Sequence, residues 1–195
     1  IVAANGDSYS TCADAVKWVP AAPDDIIIDN GTANCISTGT WSISGGTGAY
    51  GDNSYWSRNG ATYTWRFTPT VSANYEVFSW WTQYPSRSSS VAMDITSAAG
   101  TNRVNVNQQI NGGKWNSLGI FAFEANTTYG VKLTASNGDT VSTCADAVKV
   151  SYSGPINIPL PPKAEILSIS PNPAMPKQTI TLTGKATDSD GTIQA

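Results

Sequence analysis

Polar and apolar residues alternate along most of the chain, and no dozen residues between 24 and 153 carry the three-and-four spacing of an amphipathic helix. Clusters of Gly, Asn, Ser and Pro separate the alternating segments and mark turns. The spacing predicts strands at residues 26–29, 40–44, 61–67, 75–82, 90–96, 102–107, 117–123, 128–134 and 143–152. Short strands in this number, with no helix between them, predict an all-β fold, an antiparallel β-sandwich.

The alternation also assigns faces. Tyr63, Trp65 and Phe67 share one side of their strand while Thr62, Thr64 and Arg66 take the other, which suits a sheet packed on one face and wet on the other. Tyr129, Val131 and Leu133 repeat this arrangement. In the last strand Cys144, Asp146, Val148 and Val150 fall on one face, so a carboxylate is expected among core residues. A buried acid needs hydrogen-bond partners. The expected partners of Asp146 are loop backbone or an arginine such as Arg58 or Arg87, in a structural role, with metal or ligand binding as the alternative. The neighbours Trp80 and Trp81 must face opposite ways, so one of them belongs to the core and the other does not.

Self-comparison adds domain organisation. Asn5-Gly6-Asp7 with Ser10-Thr11-Cys12-Ala13-Asp14-Ala15-Val16-Lys17 recurs as Asn137-Gly138-Asp139 with Ser142-Thr143-Cys144-Ala145-Asp146-Ala147-Val148-Lys149, at a constant offset of 132 residues. Identity at a fixed offset implies tandem copies of one unit. Residues 1–20 are therefore expected to be the C-terminal strands of a preceding repeat, and 21–153 a complete unit. Asp14, the counterpart of Asp146, is expected to be a structural buried acid as well. Residues 154–162, rich in proline, read as a stiff linker, and 163–195 as the first strands of a further β domain around a Pro171-Asn172-Pro173 turn. On this reading the chain is a window on a longer polypeptide.

Three cysteines are an odd count, which a bond between Cys35 and Cys144 would explain if Cys12 pairs with a residue outside the window. Closing a loop of about 110 residues would stabilise the fold by roughly 4–5 kcal/mol in the chain-entropy picture. It would also place the protein in an oxidising compartment, outside the cell. Three buried free thiols are the alternative.

Composition removes several functions. With 14 acids against 11 bases the chain lacks the basic field that nucleic acid requires. Without histidine it lacks the commonest general base and transition-metal ligand. No segment is long and apolar enough to span a bilayer as a helix. The acids are scattered, Asp24-Asp25 sits at a linker, and Gly45-Gly46-x-Gly48 has no helix to aim at a phosphate. Asp188-x-Asp190-Gly191 lacks the downstream carboxylates of a calcium loop and reads as a solvated turn. No enzyme activity, cofactor or metal is expected. Asn30-Gly31-Thr32 and Asn126-Thr127-Thr128 fit the glycosylation sequon.

Nineteen aromatic residues exceed what a sandwich of this size needs. Trp56, Trp80, Trp81, Tyr84 and Trp115, on strand ends or loops, are candidates for stacking on sugar rings, with capping of the open ends of the sandwich as the alternative.

Several segments resemble a known family: Ile27-Ile28-Asp29-Asn30-Gly31, Ser37-Thr-Gly-Thr-Trp41-Ser42, Tyr75-Glu-Val-Phe-Ser-Trp-Trp81, Pro85-Ser-Arg87-Ser88, Val104-Asn-Val-Asn-Gln-Gln109-Ile-Asn-Gly-Gly113-Lys-Trp115-Asn-Ser-Leu-Gly119 and Ala145-Asp-Ala-Val-Lys149. Over about 130 residues the chain resembles the golvesin C-terminal or xanthan-lyase carbohydrate-binding-like domain. The resemblance implies a secreted jelly-roll-type β-sandwich appended to surface proteins and polysaccharide-active enzymes, and it carries over no binding residue. The tail, from Ile169-Ser-Pro-Asn-Pro173 to Ile193, resembles the start of a polycystic-kidney-disease-type, immunoglobulin-like domain. Three functions remain. The first expectation is a non-catalytic extracellular structural or adhesive module of a tandem-domain surface or filament protein, with neighbouring domains or identical subunits as partners. The alternatives are a module that stacks polysaccharide on exposed aromatics and a spacer in a secreted polysaccharide-active enzyme.

Overall fold

A computed structural model describes residues 21–138, 140–156 and 163–187. The chain divides into two units, one ending at Gly154 and one beginning at Pro155. The strands of the first are β1 (Ile26–Ile28), β2 (Cys35–Thr38), β3 (Ser42–Ile43), β4 (Tyr55–Ser57), β5 (Thr62–Phe67) and β6 (Ala73–Ser79). They continue with β7 (Val91–Ser97), β8 (Gly100–Val106), β9 (Asn116–Phe123), β10 (Tyr129–Thr134), β11 (Thr143–Ala145) and β12 (Val148–Pro155). Among the described residues there is no helix.

Alternation builds two facing layers. A five-stranded sheet has the order β2-β5-β10-β7-β8 and a four-stranded sheet the order β1-β12-β6-β9. Tyr63, Trp65 and Phe67 of β5, Val131 and Leu133 of β10, and Val91, Met93 and Ile95 of β7 are buried in one core cluster. Ala73, Tyr75 and Val77 of β6, Phe123 of β9, and Val148 and Val150 of β12 join them from the other layer. Each such aliphatic or aromatic side chain contributes about 1.5–3 kcal/mol relative to exposure, so the interleaved faces dominate stability. The pairing of β6 with β9 shifts register between Val77 and Phe78, and Gly119 on β9 holds φ +122° at that bulge, a conformation that favours glycine.

A third sheet, β11-β4-β3, adjoins the same core through Ala145 and Tyr55. The single strand expected at 143–152 is in fact two, because the chain leaves one sheet for another at Asp146-Ala147. Side chains and loops satisfy the backbone at the crossing. Gln108, fully buried, donates to the Cys144 carbonyl (2.9 Å) and accepts from the Cys144 N–H (2.7 Å), acting as a one-residue strand partner. Trp65 Nε1 donates to the Asp146 carbonyl at 3.0 Å, and the Trp80 N–H donates to the Ala147 carbonyl at 2.9 Å. β2 and β4 were not expected, being only four and three residues long in segments rich in Ser, Thr and Gly.

Cys35 and Cys144 are free thiols, which corrects the expected disulfide. Cys35 lies on β2 opposite Trp65, and its Sγ sits 3.3 Å from the Asp29 carbonyl oxygen. Cys144 lies on β11 in a different sheet, opposite Trp56, with its Sγ 3.3 Å from Thr82 Oγ1. A disulfide needs the two sulfurs about 2 Å apart, and here each meets oxygen in its own neighbourhood. Cys12 and Asp14 lie outside the described residues.

In the second unit β13 (Lys163–Ser170) and β14 (Thr181–Thr187) pair antiparallel, with a register shift between Ile166 and Ser168. The two expected tail strands are thus present as a hairpin around the proline-containing turn.

Candidate functional site

The three-stranded sheet and the loop from Gln83 to Ser90 frame an open cavity of about 260 Å³. Trp56 comes from β4, Arg58 from the residue after that strand, and Ser44 from the residue after β3. Tyr84 and Arg87 come from the loop between β6 and β7, and Ser142 immediately precedes β11. The loop is tied down by backbone pairing: Ser88 N donates to Ser142 O (2.8 Å) and Ser142 N to Ser86 O (2.9 Å). Gln109 braces it from another side, its Nε2 donating to the Arg87 carbonyl at 2.8 Å. Gly112 adjoins so closely that a Cβ there would meet the Gln83 backbone, and its N–H donates to Gln83 Oε1 at 2.9 Å. The Asn-Gln-Gln and Gly-Gly residues of the sequence motif therefore hold this corner together.

Charge sets the cavity apart. Arg87 is buried, and its Nη atoms donate to Ser142 Oγ (3.0 Å), Ser44 Oγ (2.7 Å) and Thr82 Oγ1 (3.3 Å). Its Nε has no partner, nor does the buried Nε of Arg58. Arg58 lies over Trp56, with Cζ 5.1 Å from the ring centroid. Among the described residues the ion pairs are Arg103–Asp94, Lys132–Asp94 and Lys149–Asp25, so neither cavity arginine meets a carboxylate. Burial draws the Arg87 pKa down from its ordinary value. Burial also pushes the adjacent Cys144 thiol up, so that neighbour stays neutral and supplies no charge to offset the guanidinium.

Asp146 is elsewhere engaged. It is fully buried, as alternation predicts, and both carboxylate oxygens accept from the Tyr50 N–H at 3.2 and 3.3 Å. Backbone, not Arg58 or Arg87, is its partner. Desolvation raises its pKa to about 7, against the lowering effect of the Tyr50 bond and with a smaller upward push from Asp29.

The sugar-stacking candidates separate. Trp81 is buried at 3% exposure with Nε1 donating to the Ile110 carbonyl, so it is a core residue and presents no face to a ligand. Trp80 and Trp115, both half-buried, form a triad with Tyr50, with centroid separations of 5.3, 5.7 and 5.0 Å. Trp80 Nε1 donates to the Gly48 carbonyl at 2.8 Å, and Lys149 Nζ lies 5.5 Å from the Trp115 centroid. Trp56 and Tyr84 line the cavity, Tyr84 at 55% exposure. Sequence reasoning placed Arg58 and Arg87 beside Asp146 and missed their convergence, because β4 and the turn that brings Ser142 against Arg87 were not legible. The available signal was Arg87 itself, an arginine amid serines in a chain of low charge.

These features define an antiparallel β-sandwich domain with an additional sheet and a cationic, aromatic-edged cavity beside it. Residues 26–152 match the Golvesin C-terminal domain family, and the chain belongs to that family. It is 35% identical over 114 residues to a xanthan lyase from Bacillus sp. (strain GL1), a match covering 54% of this chain and 12% of that protein. It superposes on the structure of a Paenibacillus xanthan lyase with a TM-score of 0.60 and 33% identity, covering 66% of this chain and 13% of that one. A Podospora anserina GH26-CBM35 β-(1,4)-mannanase shares the fold at a TM-score of 0.51 and 10% identity, over 69% of this chain and 29% of that one. The chain thus corresponds to a small part of the xanthan lyases it matches. No helix among the described residues is long and apolar enough to cross a membrane.

Proposed function

We propose that this domain is a non-catalytic carbohydrate-binding module that works outside the cell, attached to a larger polysaccharide-active or surface protein. The observation that carries the reading is the open cavity with Trp56 and Tyr84 at its edge, since flat aromatic faces beside hydrogen-bonding groups suit a sugar ring, with its apolar face and its rim of hydroxyls. The relation to xanthan lyases supports a polysaccharide partner. Affinity electrophoresis of the chain through gels containing xanthan and other acidic and neutral polysaccharides tests it. Retardation by at least one polysaccharide, lost in Tyr84→Ala and without chain cleavage of the polymer, is expected. Unretarded migration in every gel, or cleavage, would overturn it.

A second reading, a structural or adhesive unit in a tandem array or filament, is favoured by the repeat at an offset of 132 residues. In it residues 1–20 end a preceding copy, 154–162 are a spacer and 163–195 begin an immunoglobulin-like domain, with neighbouring copies as partners. Electron microscopy of the native material would display a regular axial repeat if this holds, and isolated particles if it does not.

A further inference from the structure

We infer that the cavity between Trp56 and Tyr84 takes an acidic sugar, a uronate unit of a polysaccharide, with Arg58 and Arg87 gripping its carboxylate. The inference rests on the carbohydrate-binding reading above and gives that site a ligand class.

Three observations converge. Two guanidiniums line one small cavity, and among the described residues no acid lines it. A buried cation without an opposing charge is costly, and proteins ordinarily pair it or let it neutralise, which arginine does not do. The hydroxyls of Ser44, Thr82 and Ser142 hold the Arg87 fork in place but bring no negative charge. Both Nε–H groups are buried without acceptors, so the fold does not complete the donor set of either guanidinium, and the charge the two bring to the cavity wall meets no carboxylate among the described residues. A carboxylate, acceptor-only and planar, is the natural complement of such forks.

The rest of the lining selects a sugar over a bare anion. Trp56 already has one cation against its ring, and Tyr84 stands exposed at the opening, so an incoming ring meets aromatic surface as its carboxylate reaches inward. At about 260 Å³ the space is smaller than the ~300–1,000 Å³ typical of larger ligand clefts, which suits one monosaccharide unit of a chain that continues into solvent. The backbone ties from Ser142 to Ser86 and Ser88 fix the loop before ligand arrives, so little ordering is left for binding.

Isothermal titration calorimetry tests this with glucuronate and galacturonate, their neutral counterparts glucose and galactose, and acetate and inorganic phosphate as plain anions. At least one uronate should bind about tenfold or more tightly than its neutral counterpart and than either plain anion. Arg58→Gln, which leaves the buried Arg87 network intact, should weaken uronate binding by at least about tenfold. Tyr84→Ala should weaken it several-fold, and circular dichroism checks that both variants remain folded. Equal binding of uronate and neutral sugar, or uronate binding untouched by Arg58→Gln, overturns the inference while polysaccharide retention in gels leaves the broader reading standing. Plain anions binding as well as uronates would make the cavity an anion site and overturn its assignment to sugar. Failure to bind both polysaccharide and every monosaccharide removes both readings.

Discussion

Two groups of aromatic rings sit on the same sandwich and differ in what completes them. Tyr50, Trp80 and Trp115 complete one another: their rings meet edge to face or tilted, the Trp80 indole N–H has a carbonyl, and Lys149 covers Trp115 while pairing with Asp25. Trp56 and Tyr84 flank a space instead, and the cations beside them meet no carboxylate among the described residues. The difference teaches that aromatic surplus in a sequence is a poor guide to binding by itself. Rings whose polar neighbours are satisfied hold a fold together, whereas rings beside unsatisfied donors are placed for something that arrives from outside.

The comparison can be broken first through pH. The raised pKa of Asp146 means that the folded chain holds a proton the unfolded chain has lost, so stability is fullest below about pH 4 for this group and falls as pH rises towards 7. The slope is about 1.4 kcal/mol per pH unit across that window, and Asp146→Asn should flatten it in urea denaturations from pH 4 to 8. Asp29, whose carboxyl burial also pushes up, leaves a residual slope in that variant, and an undiminished slope would show that Asp146 is not the group responsible.

Trp80→Ala should cost about 2–3 kcal/mol, as partial loss of a packed aromatic and of its hydrogen bond, while uronate affinity stays within about twofold of the parent. Arg87→Met should change stability by less than about 1 kcal/mol in either direction, since a buried unpaired charge is exchanged for an apolar chain of similar length, yet it should abolish uronate binding. Tyr84→Ala, at an exposed position, should alter stability by no more than about 0.5 kcal/mol. A large stability loss in Arg87→Met would mark the arginine as a structural residue and erase the contrast.

How much of this was legible in sequence depends on the range of the interaction. The faces of β5 and β10 follow from period two, and Tyr63, Trp65, Phe67, Val131 and Leu133 are buried as alternation requires. The opposition of Trp80 and Trp81 follows from the same rule. What alternation does not contain is a change of sheet. The break at Asp146-Ala147 depends on Gln108, Trp65 and Trp80, which lie far away in the chain and supply side-chain or backbone bonds to that segment. The cysteine count suggested a bridge because parity ignores position, and the two sulfurs belong to different sheets. The cavity was hidden for the same reason: Arg58, Arg87 and Ser142 meet through strands too short to leave a periodic signature.

The most direct measurement is a uronate titration followed through the indole N–H resonances of the seven tryptophans. Progressive, saturable shifts of the Trp56 signal, with those of Trp80 and Trp115 unmoved, are the result the account predicts. Shifts confined to Trp80 and Trp115 would place the ligand on the self-completed triad and contradict it.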